Sequence, residues 1–178
     1  MVMLTKASQE LFRRTPDETF GSFEELLLHC QQGPEESRDH WVPSEKFVLT
    51  HDMTACLGDN PDFRLNDWSF SQLCRLAGVS KETINRLSPK TASKALEETL
   101  PQPTGGKPYQ VLSTGEVVRS IHGTAYTRLW NAELLETIAE AAPDFQAPQQ
   151  GSGGGTGLYC GEQDLFCFLI DPGGWTEI

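Results

Sequence analysis

The chain has 178 residues, 38% of them hydrophobic, and a formal net charge of −11; this is enough apolar material for a domain with a core. The negative sign excludes a protein that coats nucleic acid or membrane with its whole surface, because the long-range field repels phosphate. No apolar run approaches the roughly 18–20 residues of a membrane span, and MVMLTKASQELFRR lacks a signal-peptide core, so a cytoplasmic location without a membrane partner is expected.

The charge is uneven along the sequence. Residues 1–62 hold 5 basic and 12 acidic residues, residues 63–130 hold 9 and 5, and residues 131–178 hold none and 8. A basic middle therefore lies between acidic flanks, with sums of −7, +4 and −8. Cys30, Cys56, Cys74, Cys160 and Cys167 are scattered without a CxxC pair and read as reduced thiols packed in apolar runs. A metal site from His29, Cys30, His40, His51 and Cys56 matches no zinc spacing, so no metal is expected.

In chain order, Leu4, Ala7, Leu11 and Phe12 suggest a short helix that Pro16 ends. Ser22 followed by Glu25 is a capping box, opening a helix that Gly33-Pro34 should stop, with GPEESRDH as an acidic loop. The stretch from Trp41 to Thr54 alternates through Phe47, Leu49 and His51 as one strand. Asp59-Asn60-Pro61 then reverses the chain. A first helix capped by Asp67 or Ser69 carries Phe70, Leu73, Cys74 and Ala77 inward, Gly78 turns, and Ser80 caps a second helix with Ile84 and Leu87. Ser88-Pro89 breaks it, and a third helix runs from Thr91 to Leu100, ahead of the connector QPTGGKP.

The period then changes. Tyr109–Leu112 and Val117–Ile121 read as strands around a turn at Ser113 to Gly115. Asn131 caps an amphipathic helix with a stripe of Leu134, Leu135, Ile138 and Ala141, closed by Pro143. Residues 146–157 are low-complexity and read as a mobile loop. GLYC and LFCFLID form a last strand pair, and DPGGWTEI ends without a capping element, as in a fragment or an edge that a partner covers. The fold class expected is α+β: an antiparallel sheet with a helical subdomain, including a helix-turn-helix-like pair, before it. Residues 1–40 are expected as an N-terminal helical arm and 41–178 as a single domain.

Two groups of residues point to binding. Phe70 to Leu87 has helix-turn-helix spacing, and its second helix would present Lys81, Thr83, Asn85 and Arg86, of which Asn85 and Arg86 can pair with base edges. The bland reading is two short helices sharing an apolar face. Arg119, His122, Tyr126 and Arg128 form the other group: arginine forks onto phosphate and tyrosine stacks on a base. Their bland reading is a sheet surface that satisfies loops and neighbouring carboxylates. No Walker loop, GxSxG elbow or HExxH helix is present, so no catalytic residue or cofactor is expected.

The order of parts, FSQLCRLAGVSKETINRLSP, then VVRSIHGTAYTRLWNAELLETI, then GLYCGEQDLFCFLIDP, resembles the phage/plasmid-like protein family, domain-of-unknown-function family nine hundred and thirty-two. The resemblance spans about residues 45–172 and is one of pattern, carried by Val118, Arg119 and Ser120, by the passage from Tyr126 to Asn131 and by the last strand pair. It implies a mobile-element context and a link to DNA maintenance, recombination or phage–host conflict, with the chain a shortened member or a fragment. The first expectation is thus a non-catalytic phage- or plasmid-type protein acting on nucleic acid through its basic middle, with DNA as partner and contacts ending near Arg128. The alternatives are an acidic module that binds a host or self protein as a host-defence antagonist, and a nucleotide-processing enzyme built on Arg119, His122 and Tyr126.

Overall fold

The computed structural model describes residues 14–100, 107–148, 156–162 and 164–174. The helix expected near the N-terminus, most of the connector QPTGGKP and the glycine-rich run at 149–155 lie outside them. The protein is α+β: α1 (Phe23–Glu36), β1 (Ser37–Val42), β2 (Phe47–Leu49), β3 (Ala55–Leu57) and β4 (Asn60–Leu65) come first. They are followed by α2 (Asp67–Leu76), α3 (Lys81–Ile84), α4 (Pro89–Thr99), β5 (Tyr109–Thr114), β6 (Val117–His122), α5 (Asn131–Ala141), β7 (Leu158–Cys160) and β8 (Leu165–Cys167). Two compact units result, a central one of residues 36–128 and a second one of residues 1–35 with 129–178.

The central unit is a six-stranded sheet in the order β1-β5-β6-β4-β3-β2. It is antiparallel except where β4 runs parallel to β6. The helices α2 to α4 sit between the fourth and fifth strands in sequence rather than before the sheet. One face of the sheet presents Val42, Phe47, Leu57, Val111, Val118 and Ile121 to Leu73, Cys74 and Leu96 of the helices, forming a core. The other face bears Asp39 and Trp41 of β1, Gln110 and Leu112 of β5, and Ser120 and His122 of β6, which are cross-strand partners.

The hairpin β5–β6 contains a bulge. Leu112 pairs with Ser120 and Ser113 with Val118, so Arg119 is the extra residue. That one residue lets both Val118 and Ile121 reach the core while Ser120 and His122 share the opposite face. The parallel pairing of β4 with β6 covers only Arg64 and Leu65, opposite Val117 and Val118. Beyond it the chain enters α2, and Gln72 Oε1 takes over by accepting the backbone N–H of Ile121 at 2.9 Å.

The second unit has its own core, in which Leu26 and Cys30 of α1 meet Ala132 and Leu135 of α5 and Leu158 of β7. The capping box opens α1 as expected: Glu25 N–H donates to Ser22 Oγ at 3.1 Å, and the Glu25 carboxylate accepts from Gly21 N–H at 2.9 Å. Gly33-Pro34 does not stop the helix, which continues to Glu36. A proline this close to the helix end removes few hydrogen bonds, and the expected acidic loop is instead the last turn of α1 followed by β1.

Other boundaries also shift. The reversal before β4 lies at Gly58-Asp59, where Gly58 has φ +65°, one residue earlier than expected. Asn66 caps α2 in place of Asp67 or Ser69, accepting Ser69 N–H at 2.7 Å. Ser88 caps α4 with Pro89 at its first turn. Trp130 occupies the N-cap of α5, and the helix buries Ala132 and Leu135 while Leu134 is exposed, so its inward stripe is rotated from the one expected.

Replacing Gln72, 5% exposed, by leucine leaves the Ile121 N–H without its acceptor. The expected cost is about 1–3 kcal/mol, measured as a lowered urea midpoint; Arg75→Ala, on the exposed side of the same helix, should leave it unchanged.

Candidate nucleic-acid interface

The first group of expected contact residues lies on and after α3. Ser80 accepts the Thr83 N–H, as the sequence predicts, and Gly78 takes φ +67° in the turn. The second helix, however, ends at Ile84 after one turn, Asn85 is its C-cap, and Leu87 falls in the connector. A recognition helix must project several residues along a groove, and a single turn cannot. Lys81 is held at 2.5 Å by Asp67, whereas Thr83 and Arg86 are exposed. Asn85 lines a groove of about 600 Å³ floored by Met53, Phe70 and Ile84 and edged by Asp52, Arg64 and Asp67, with carboxylates outnumbering cations at its rim.

The second group is drawn together. Beyond β6 the chain turns at Gly123, with Tyr126 N–H donating to the Gly123 carbonyl at 3.1 Å. The Tyr126 ring stacks on His122 with centroids 3.6 Å apart and planes 4° from parallel. Arg128 follows, its guanidinium 5.7 Å from the Tyr126 centroid and 2.9 Å from the Asp39 carboxylate on β1. Since β5 lies between β6 and β1, residues 123–128 form a strap across the face that bears Gln110, Leu112 and Ser120. Arg119, in the bulge of β6, is half-buried.

Behind the stack, the Gln72 amide nitrogen lies 3.2 Å from His122 Nε2. Gln72 thus ties helix, strand and stack together. Among the described residues, Gln110 Oε1 and Ser120 Oγ are buried without a hydrogen-bond partner, and Gln110 stands directly opposite His122 in the ladder. Buried polar atoms are nearly always paired, so this face holds an acceptor and a hydroxyl with capacity to spare. Gln72, Asp39, Gln110 and Ser120 are the site residues that sequence reasoning missed. A glutamine spaced one turn from Ser69 and next to Leu73, on the inward side of an amphipathic helix, was the available signal for Gln72.

Electrostatics differ between the units. The central unit carries eleven basic and eleven acidic residues and is neutral; the second carries three and fourteen, which accounts for the whole −11. Arg128, the last Lys or Arg of the sequence, is also the last residue of the central unit. Among the described residues no cluster of His, Cys, Asp and Glu could hold a metal ion, and no helix is long and apolar enough to cross a membrane.

Compared with known proteins, the chain matches no family model, no curated protein and no solved structure.

Burial, and then the positive charge of Arg128, hold the His122 imidazole below its ordinary pKa of 6.5. Burial, and then Arg38, lower that of His40, against a smaller opposing pull from Asp39. Both rings fold as neutral species, so between the depressed values and 6.5 the unfolded chain binds more protons than the folded one. Their contribution to stability is full above pH 6.5 and lost as the pH falls towards the folded values. Proton NMR titration, assigned with His122→Gln, should give a His122 midpoint below 6.5, and Arg128→Ala should move it upward.

Proposed function

We infer that the protein is a non-catalytic nucleic-acid-binding module, and that its contact centre is the His122–Tyr126 stack with its neighbouring arginines, directed at single-stranded rather than duplex nucleic acid. The observation that carries this reading is the parallel ring stack at 3.6 Å, with Tyr126 39% exposed and a guanidinium 5.7 Å from its centroid. An aromatic ring held flat at a strand end is the element on which an unpaired base stacks, whatever its identity. Arg119 in the bulge, half-buried, suits a phosphate. The one-turn α3 argues against duplex reading through Lys81, Thr83, Asn85 and Arg86. The mobile-element setting belongs to this reading through the sequence resemblance alone.

With a neutral central unit, binding depends on a few local contacts and not on long-range attraction. Fluorescence anisotropy with labelled single strands should show tightest binding at low salt and a slope of log affinity against log salt of about −1 to −2, since each single-strand phosphate contact contributes about −0.7. Tyr126→Ala should weaken binding by about 1–3 kcal/mol, Tyr126→Phe should preserve it, and Arg86→Ala should have no effect. No binding at low salt, or tighter binding to duplex, would overturn the proposal.

A second reading uses the other unit, whose fourteen acidic against three basic residues favour a basic protein as partner. In that case a lysine-rich polypeptide should bind the whole chain in a salt-sensitive manner, and Tyr126→Ala should leave that binding intact.

A further inference from the structure

Two of the five cysteines lie together in the second unit, although 130 residues separate them in sequence. Cys30, on α1, donates its thiol hydrogen to Cys160 Sγ, on β7, at a sulfur separation of 3.8 Å. Both sit in the same apolar cluster, with Leu26, Leu135 and Leu158 around them. The two thiols differ in setting. Cys30 is buried, 7% exposed, and its proton is held tightly, by the bond to Cys160 first and by burial second. Cys160 is half-buried, and Asn131 at the start of α5 donates an amide hydrogen to its sulfur at 3.4 Å.

We propose that Cys30 and Cys160 are an oxidative modification site, in which glutathione disulfide first modifies Cys160 and Cys30 then displaces the glutathione to close a disulfide between α1 and β7. The geometry carries the assignment: the sulfurs lie 3.8 Å apart, about 1.8 Å beyond disulfide bonding distance. The half-buried Cys160 offers the entry point, and the Asn131 amide supports negative charge on its sulfur as it exchanges.

Atoms and electrons balance in two exchanges. The Cys160 thiolate attacks one sulfur of glutathione disulfide, forming a Cys160–glutathione bond and releasing one glutathione thiolate. With Cys160 Sγ now in the mixed disulfide, Cys30 gives its proton to the released glutathione thiolate and attacks Cys160 Sγ, the sulfur–sulfur bond to glutathione breaks, and a second glutathione leaves. In sum two thiols lose two protons and two electrons, and one glutathione disulfide becomes two glutathiones.

Cys167 is the nearest rival thiol, on β8, but it pairs across the hairpin with Leu158 and not with Cys160, which faces Leu165. Cys56 and Cys74 lie in the central unit and serve as internal controls. The cross-link would join segments that the chain otherwise connects only through the whole central unit.

The test is equilibration of the complete chain, without reductant, over a series of glutathione to glutathione-disulfide ratios, with acid trapping, thiol blocking and mass spectrometry of intact protein and peptides. The expected result is a species lighter by two hydrogen atoms, whose cross-linked peptides contain Cys30 and Cys160, with Cys74 blocked as a free thiol. Cys30→Ser should stop at a glutathione adduct on Cys160, and Cys160→Ser should give neither adduct on Cys30 nor cross-link. A stable adduct on Cys160 in the wild-type chain, a cross-link mapped to Cys167, or no change at any ratio would each overturn the proposal. Since the wild-type chain itself gives the primary readout, a folding defect in either variant does not decide the outcome.

Discussion

The central unit depends on how the backbone N–H of Ile121 is satisfied. A strand interior must pair its polar groups, yet β4 leaves the sheet after Leu65, opposite Val118 and three residues short of Ile121. Gln72 fills that gap from α2. Once the glutamine oxygen is fixed there, its nitrogen is delivered to His122, the His122 ring carries Tyr126, and two residues later Arg128 reaches Asp39 on the far strand. A single hydrogen bond of about 1 kcal/mol net therefore links a helix, which the core also holds, to a strand end and the strap. Its loss would be felt most in the placement of the aromatic stack.

Charge illustrates why proximity in sequence misleads. Residues 63–130 alone sum to +4, which suggests a basic surface, but folding gathers residues 36–62 into the same unit and with them Glu36, Asp39, Glu45, Asp52, Asp59 and Asp62. Two of the unit's carboxylates are spent directly on candidate cations: Asp67 on Lys81 and Asp39 on Arg128. What remains is a unit with no net charge, so under the proposed function specificity rests on shape and stacking.

Features set by a few adjacent residues were legible in the sequence. The capping box at Ser22, the N-cap at Ser80, the left-handed Gly78 and the strand pair about residues 161–164 all stand where their local chemistry puts them, and the β5–β6 hairpin forms with its turn at Gly115-Glu116, two residues later than the expected start at Ser113. Features decided across long separations were not. The SRDH part of β1 reads as a polar loop because, at the edge of the sheet, much of it faces solvent, and its partner β5 lies about seventy residues on. The site divides in the same way: His122, Tyr126 and Arg128 are close in sequence and group together there, whereas Gln72 and Asp39 come from 50 and 89 residues away. The one-turn α3 escaped because Ile84 and Leu87 keep helical spacing although Ser88-Pro89 leaves no room for another turn.

The bulge at Arg119 bears on how the hairpin resists slippage. Strand pairing has a period of two, so an ordinary ladder that slides by one residue turns every side chain to the opposite face. In β6 the side chains before and after Arg119 are out of phase with each other, so a slid pairing would place either Val118 or Ile121 on the polar side. The strand therefore reads like a key with one offset tooth: only one alignment with β5 lets both ends fit. A deletion of that residue would be a frame error in three dimensions, and its first casualty would be the outward aim of His122.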